Sequence, residues 1–256
     1  MRTVFERSKL VYDGPSPYCP GCGHGIVHSL MLSALEETGM SDNAVLMAPV
    51  GCAILSFTWL DLDVCQPAHG RTPAAATGLK RVRPDSLVIL YQGDGDLAAI
   101  GTAGIIHAAN RGEYLTCIFV NNATYGMTGG QMAPTTLLGQ KSTTCVQGRQ
   151  PSNGMGWPLH VCELLQSLPG VNYLARTSVY DAANAIKTQR AIKKGFQCQL
   201  EKKGFSLIEV LAMCPVNWKK SPEESQAFIA NEMTACFPLG EFKVDGQIVP
   251  GPQKKE

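Results

Sequence analysis

Apolar and polar positions along the chain follow two rhythms. From residue 24 to 40, Ile26, Val27, Leu30, Met31, Ala34 and Leu35 recur at helical spacing as far as Gly39, which predicts a helix. Residues 44–50 form a short apolar run, expected as a buried strand. Residues 72–82 are rich in alanine, end in basic side chains and stop before Pro84, the pattern of a helix whose C-terminus suits its dipole. The run SLVILYQ (86–92) is the clearest strand. Residues 97–110, with Gly101 and Gly104, predict a helix lying close to a sheet, and LTCIFVN (115–121) predicts the next strand.

Residues 123–157 carry Gly, Thr, Gln and Pro without a repeating apolar period. A loop that long in a compact domain is usually functional, so it is expected to help form a site. Beyond it, 158–168 reads as helix, 171–177 as strand, 181–202 as a long amphipathic helix and 205–211 as a final strand, followed at once by Cys214-Pro215. A last helix over 222–237 starts from Ser221 as its N-cap. Neither a repeat nor a convincing linker divides the chain. The expectation is one α/β domain over 1–240, a mostly parallel sheet with helices on both faces, and an extended tail over 241–256.

Composition narrows the function classes. The 256 residues carry 22 Lys and Arg against 21 Asp and Glu, a net charge of +1, which excludes a nucleic-acid binder held by bulk charge. The longest apolar stretch, 44–57, is broken by Pro49, Gly51 and Cys52 and falls short of the roughly 18 to 20 residues that a membrane helix needs. Residues 1–10 mix Arg2, Glu6, Arg7 and Lys9 with few apolar positions, so no secretory leader is expected and a cytoplasmic, reducing setting follows. In that setting the ten cysteines are not read as disulfides. Cys117 and Cys162 sit in apolar runs and read as core, whereas Cys19, Cys22, Cys52 and Cys214 lie in loop-like stretches.

Two motifs carry chemistry. Gly93-Asp94-Gly95-Asp96 follows the strand 86–92, and Asn121-Asn122 ends the next, so both lie at carboxyl ends of neighbouring strands, where open parallel sheets bind ligands. Glycines there let a diphosphate approach the backbone, and Asp94 and Asn122 offer hard oxygen ligands to Mg²⁺. GDG alone reads equally as a strand-to-helix turn with an aspartate N-cap; the paired asparagines shift the balance. This pair of motifs resembles the thiamine-diphosphate signature. No GxGxxG stands after a strand, so a nicotinamide fingerprint is not supported.

The second motif is Cys19-Pro20-Gly21-Cys22-Gly23-His24. Alone it reads as a zinc edge, a redox dithiol or a turn without chemistry. Cys52, after the first strand, and Cys214, after the last, complete a set of four thiols suited to Zn²⁺ or a [4Fe–4S] cluster.

Taken in order, CPGCGH, the Gly51-Cys52 pair, His69-Gly70-Arg71, ATGLK (76–80), GDGD, NN, YGMTGGQ and the late Cys-Pro resemble the β subunit of the 2-oxoacid:ferredoxin oxidoreductases, over residues 18–218. The resemblance implies that Cys19, Cys22, Cys52 and Cys214 ligate one [4Fe–4S] cluster. It also implies that Asp94, Asn122 and the Thr124 carbonyl hold Mg²⁺, that Gly93, Gly95 and Gly126 line the diphosphate, and that Gly51 and His69 contact the cofactor. The implied activity is oxidative decarboxylation of a 2-oxoacid to acyl-coenzyme A and CO₂, with electrons leaving through the cluster to ferredoxin.

No catalytic side chain is expected from this chain. The activating glutamate of such enzymes belongs to a pyrimidine-binding domain for which there is no room, so an α subunit should supply it, with γ and ferredoxin-like δ subunits or domains besides. Many relatives carry Lys where this chain has Gly129, and a glycine cannot pair a distal carboxylate. That favours a branched-chain substrate such as 2-oxoisovalerate over 2-oxoglutarate. Two rival readings are a non-redox thiamine-diphosphate decarboxylase or synthase subunit and a non-catalytic assembly subunit. Lys193-Lys194 and Lys202-Lys203 read as a solvated helix face or as a docking surface for an acidic ferredoxin.

Overall fold

A computed structural model describes residues 6–250; the start of the leader expectation (1–5) and the end of the tail expectation (251–256) lie outside the described residues. In chain order the elements are α1 (Gly23–Glu36), β1 (Ala44–Met47), a 3₁₀ segment (Cys52–Thr58), β2 (Asp63–Cys65), α2 (Thr72–Val82) and β3 (Leu87–Gly93). A π-helical turn (Gly95–Ile100) then leads into α3 (Thr102–Asn110), followed by β4 (Thr116–Asn121), α4 (Val161–Leu165), β5 (Val171–Ser178), α5 (Ala182–Leu200) and β6 (Phe205–Leu211). The chain closes with α6 (Pro215–Trp218), α7 (Pro222–Phe228), which continues through a π turn into α8 (Thr234–Cys236), then β7 (Gly240–Val244) and β8 (Gln247–Ile248).

The strands form one sheet in the order β2-β1-β3-β4-β6-β5-β7-β8. The first six are parallel. β3, β4 and β6 are buried almost end to end because helices cover both faces, which is why their sequences read as unbroken apolar runs. Alternate strand residues feed two cores. Leu46, Ile89, Tyr91, Ile118 and Val210 pack with Val27 and Met31 of α1 and Ile192 and Phe196 of α5. Met47, Leu90, Phe119 and Leu207 pack on the opposite face with Ala76, Ile105, Ala109 and Cys162 of the helices α2 to α4.

Three elements depart from the expectations. Residues 97–110 do form a helix, but it opens with a π turn that begins at Gly95. The edge strand β2 was not anticipated: Asp63 and Cys65 are exposed, Val64 is half-buried, and three such residues carry no apolar run. The expected tail is paired over its first part, since β7 runs antiparallel to β5 and β8 to β7, with Phe242 buried and the Lys243 ammonium donating to the Leu168 carbonyl at 2.8 Å. Among the described residues no helix is long and apolar enough to cross a membrane.

Candidate active site

The carboxyl ends of β1, β3 and β4 surround a cavity of about 400 Å³. Gly51, His69, Gly93, Asp94, Gly95, Asn122, Thr124 and Gly126 all line it, so the structure brings to one cavity every residue that the sequence singled out as a candidate for cofactor contact. A larger cleft of about 910 Å³ lies between α5 and the α7 to α8 segment, over β5 and β7, and contains none of them.

Asp94 closes β3 and is 4% exposed. Its Oδ2 accepts from the Thr124 amide (2.9 Å) and the Thr135 hydroxyl (3.1 Å), and its Oδ1 from the Gly95 amide (2.9 Å). Burial nevertheless pushes its pKa up to about 7, against the pull of those donors. The Asn122 side-chain oxygen faces the Asp94 carboxylate and the Thr124 carbonyl, three acceptors with no proton between them. Either the amide turns over, donating to Asp94 Oδ2 at 3.2 Å and to Thr124 O at 2.7 Å, or a cation sits among the oxygens. Carboxylate, amide oxygen and backbone carbonyl are a donor set that Mg²⁺ takes, and a cation would also offset the buried charge of Asp94. These residues fit the ion.

Local strain shapes this turn. Ala123, between Asn122 and Thr124, is fully buried at φ +55°, a left-handed conformation that costs an L-residue about 1–2 kcal/mol. Its amide donates to Asn121 Oδ1 (3.1 Å), and its carbonyl accepts from the Thr136 hydroxyl (2.7 Å). The Asn122 carbonyl is held by the Trp218 indole N–H (3.0 Å).

Asp96 is a second buried carboxylate, read from sequence only as a helix cap. It accepts from the Gly70 amide (2.6 Å), the Thr72 hydroxyl (3.1 Å), the Gln92 amide (2.6 Å) and His69 Nδ1 (3.0 Å). These contacts tie the 69–72 loop to the GDGD turn and orient the His69 ring, leaving Nε2 toward the cavity side, 3.9 Å from where a Gly95 Cβ would stand. His24 was likewise missed as a site residue. It lines the cavity, its Nδ1 lies 2.8 Å from the Tyr91 hydroxyl, and burial lowers its pKa to about 4.

The four loop cysteines come to one region beside the cavity. The Cys22 amide donates to the Cys19 carbonyl (3.0 Å) to close the CPGC turn, and the Gly23 amide donates to Met213 O (3.0 Å), stitching that turn to the loop that carries Cys214. Gly23 must be glycine here, because a Cβ would meet Ala212 Cβ at 2.7 Å. A Cβ on Gly126 would stand 3.3 Å from Cys52 Sγ and 3.7 Å from Cys214 Sγ, so only a hydrogen separates that cavity wall from two thiols. The Asn217 amide bridges the Gly126 carbonyl (2.9 Å) and Cys214 Sγ (3.2 Å). Burial pushes the Cys22 thiol up to about 12 and Cys52 to about 11, and mutual repulsion among the cysteines adds to both. Cys214 is raised by burial as well. Thiolates become favourable here only beside positive charge, such as iron or zinc supplies. Among the described residues no three His, Cys, Asp or Glu side chains converge closely enough for a single ion, and all ten cysteines stand unpaired.

The long loop contributes through a residue the sequence did not flag. Arg149 is buried and donates to the carbonyls of Thr136 (2.6 Å), Pro134 (2.8 Å), Trp157 (2.7 Å), Gly156 (3.0 Å) and Met155 (3.1 Å), which knits residues 134–157 together and sets Thr135 on Asp94. The basic pairs on and after α5 are partly neutralised: Lys193 pairs with Glu37, Lys194 with Glu241 (3.1 Å) and Lys203 with Glu201 (2.6 Å).

Fold and site together define a diphosphate-binding domain of the thiamine-diphosphate enzymes. Residues 50–210 match the family "Thiamine pyrophosphate enzyme, C-terminal TPP binding domain". The chain is 46% identical over 243 residues to the ketoisovalerate oxidoreductase subunit VorA of Methanothermobacter thermautotrophicus, covering 95% of this chain and 51% of that protein. It is 37% identical to the 2-oxoglutarate synthase subunit KorB of Methanocaldococcus jannaschii, covering 93% of this chain and 86% of that one. It therefore belongs to the VorA and KorB group of 2-oxoacid:ferredoxin oxidoreductase subunits within that family. The chain spans about half the length of the VorA relatives it matches. The fold is shared with 2-oxoglutarate:ferredoxin oxidoreductase from Magnetococcus marinus, at a TM-score of 0.75 and 23% identity over 94% of this chain and 84% of that one.

Proposed function

We propose that this chain is the diphosphate-binding, cluster-bearing subunit of a 2-oxoacid:ferredoxin oxidoreductase that forms acyl-coenzyme A from a branched-chain 2-oxoacid such as 2-oxoisovalerate. The observation that carries the reading is the wall between the Asp94/Asn122 cavity and the Cys52/Cys214 thiols, which Gly126 keeps one hydrogen thick. When bound, thiamine diphosphate supplies the carbanion chemistry that releases CO₂, and a [4Fe–4S] cluster supplies a one-electron outlet.

The residues of this chain do the rest by placement. Asp94, Asn122 and the Thr124 carbonyl would hold Mg²⁺; Gly93, Gly95 and Gly126 would leave room for the diphosphate, and Gly51 and His69, the latter on the loop that Asp96 anchors, would contact the cofactor. Cys19, Cys22, Cys52 and Cys214 would hold the cluster. Free thiols suit a reducing, cytoplasmic setting.

The branched-chain substrate is supported by the cavity lining, in which Val50, Ile100 and Met127 appear and no Lys or Arg does. A distal carboxylate would find no counter-charge there. Gly129 adds to this, although its φ of +105° means that a lysine introduced there would be strained. The exposed apolar rim suits an α subunit bringing the activating glutamate, with γ and δ components and ferredoxin completing the complex.

Low-temperature EPR on anaerobically prepared, dithionite-reduced protein tests the core of the proposal. A [4Fe–4S] signal that disappears in Cys214→Ala is expected. Zinc without iron would remove ferredoxin chemistry and leave a non-redox thiamine-diphosphate subunit. In the assembled complex, coenzyme A-dependent ferredoxin reduction should run faster with 2-oxoisovalerate than with 2-oxoglutarate; the reverse order would overturn the substrate reading.

A further inference from the structure

We propose that Glu209 is a positioning residue for the metal-binding turn, acting through the Asn121 side chain; the inference rests on reading Asp94, Asn122 and Thr124 as a cation site. Glu209 lies in the middle of β6, fully buried, in a strand otherwise composed of apolar residues and one serine. Both of its oxygens are engaged. Oε1 accepts from Asn121 Nδ2 at 2.7 Å, and Oε2 accepts from Arg176 Nε at 2.8 Å, across a register pair of β5 and β6. Arg176 is anchored in turn by Glu163 (3.0 and 2.5 Å) and the Pro238 carbonyl (3.2 Å), with the rings of Phe237 and Phe242 at 5.4 and 4.9 Å.

The direction of this chain of contacts matters. A carboxylate only accepts, so Glu209 obliges Asn121 to present its amino group, and the Asn121 oxygen is left for the Ala123 amide at 3.1 Å. That bond holds Ala123 at φ +55°, the bend that turns the Asn122 side chain and the Thr124 carbonyl toward Asp94. If the Asn121 amide were reversed, it would set a donor against the Ala123 N–H and release the bend. The ion network between β5 and β6 thus reaches the cation site without touching it. A purely structural role for Glu209, pairing Arg176 and nothing more, predicts lost stability but an unchanged site.

The test is Mn²⁺ binding in place of Mg²⁺, measured by EPR of free Mn²⁺ on the full chain with thiamine diphosphate. In Glu209→Gln the amide oxygen stays on the Arg176 guanidinium and the amide nitrogen faces Asn121, which turns over and sets its own donor against the Ala123 N–H, so affinity is expected to fall about 10- to 100-fold. Glu163→Gln, which disturbs only the far end of the network, should stay within about twofold. Should Glu209→Gln fail to fold, Asn121→Ala carries the test: the same loss is expected, and adding Ala123→Gly should restore most of the affinity, because glycine adopts φ +55° without a clamp. Glu209→Gln and Asn121→Ala that bind Mn²⁺ like the wild type, or an Asn121→Ala loss that Ala123→Gly does not rescue, would overturn the inference. A wild-type chain that binds no Mn²⁺ with thiamine diphosphate would overturn the cation-site reading itself.

Discussion

At the scale of single residues, the two carboxylates of the GDGD turn do opposite jobs. Asp94 keeps oxygens facing the cavity, whereas Asp96 spends all its capacity on four donors from two segments of chain, the 69–72 loop and β3. An Asp96→Asn variant must turn an NH₂ toward two of those donors, and leaving buried donors unsatisfied in this way costs about 1–3 kcal/mol. Chemical denaturation should register that loss, and thiamine diphosphate affinity should fall with it, since the 69–72 loop and His69 lose their anchor. An Asp96→Asn chain as stable as the wild type would show that the hub does not hold the loop. The contrast also explains what could be read in advance. The placement of Asp94 and Asn122 on one cavity was legible because GDGD and NN directly follow or close neighbouring strands of a parallel sheet. Asp96, Arg149 and Glu209 were not, because each serves backbone or side-chain groups far away in sequence, and no local pattern records such partners.

At the scale of elements, the parallel strands were legible because burial on both faces leaves an unbroken apolar run, as in SLVILYQ and FSLIEVL. The edge was not: β2 exposes two of its three residues, and β7 offers one buried aromatic, Phe242, beside Glu241 and Lys243. The α4 end of the β5 ion network gives a pH test. Hydrogen bonds to Cys236 and then to Glu163 raise His160 from 6.5 to about 9. Glu163, despite the upward push of burial, is lowered from 4.5 to about 2 by His160 and Arg176. A raised histidine stabilises fully below its unfolded pKa and loses that contribution as pH rises through 9; a lowered glutamate stabilises above 4.5 and loses its share as pH falls through 2. The His160–Glu163 contact is one interaction seen from both partners, and it is about one-third exposed, so screening reduces it to about 1 kcal/mol. His160→Gln should therefore be less stable than the wild type by about that amount near pH 6, with the gap closing above about pH 9. Denaturant titrations at the two pH values measure it, and a gap that widens in alkali would contradict the assignment.

At the scale of the whole molecule, the apolar side chains left outside are the informative ones. Scattered exposed hydrophobics are ordinary on any protein, but Val50, Ile100 and Met127 are exposed while lining the cavity, and Phe57 and Val216 are exposed on the segments that carry Cys52 and Cys214. These side chains form an apolar ridge beside the cavity. The partner proposed for this complex would cover it, shielding the chemistry from water and delivering the proposed activating glutamate. Met127→Glu places a charge where that closure would remove it from water, at a cost of several kcal/mol, so assembly should weaken by at least about tenfold. Because Met127 is exposed, the melting temperature of the isolated chain should stay within about 1 °C of wild type. Co-purification with the partner subunits, read beside thermal melts of the chain alone, separates the two effects. Undiminished assembly by Met127→Glu would place the partner on another face, and full turnover by the chain alone would show that none is required.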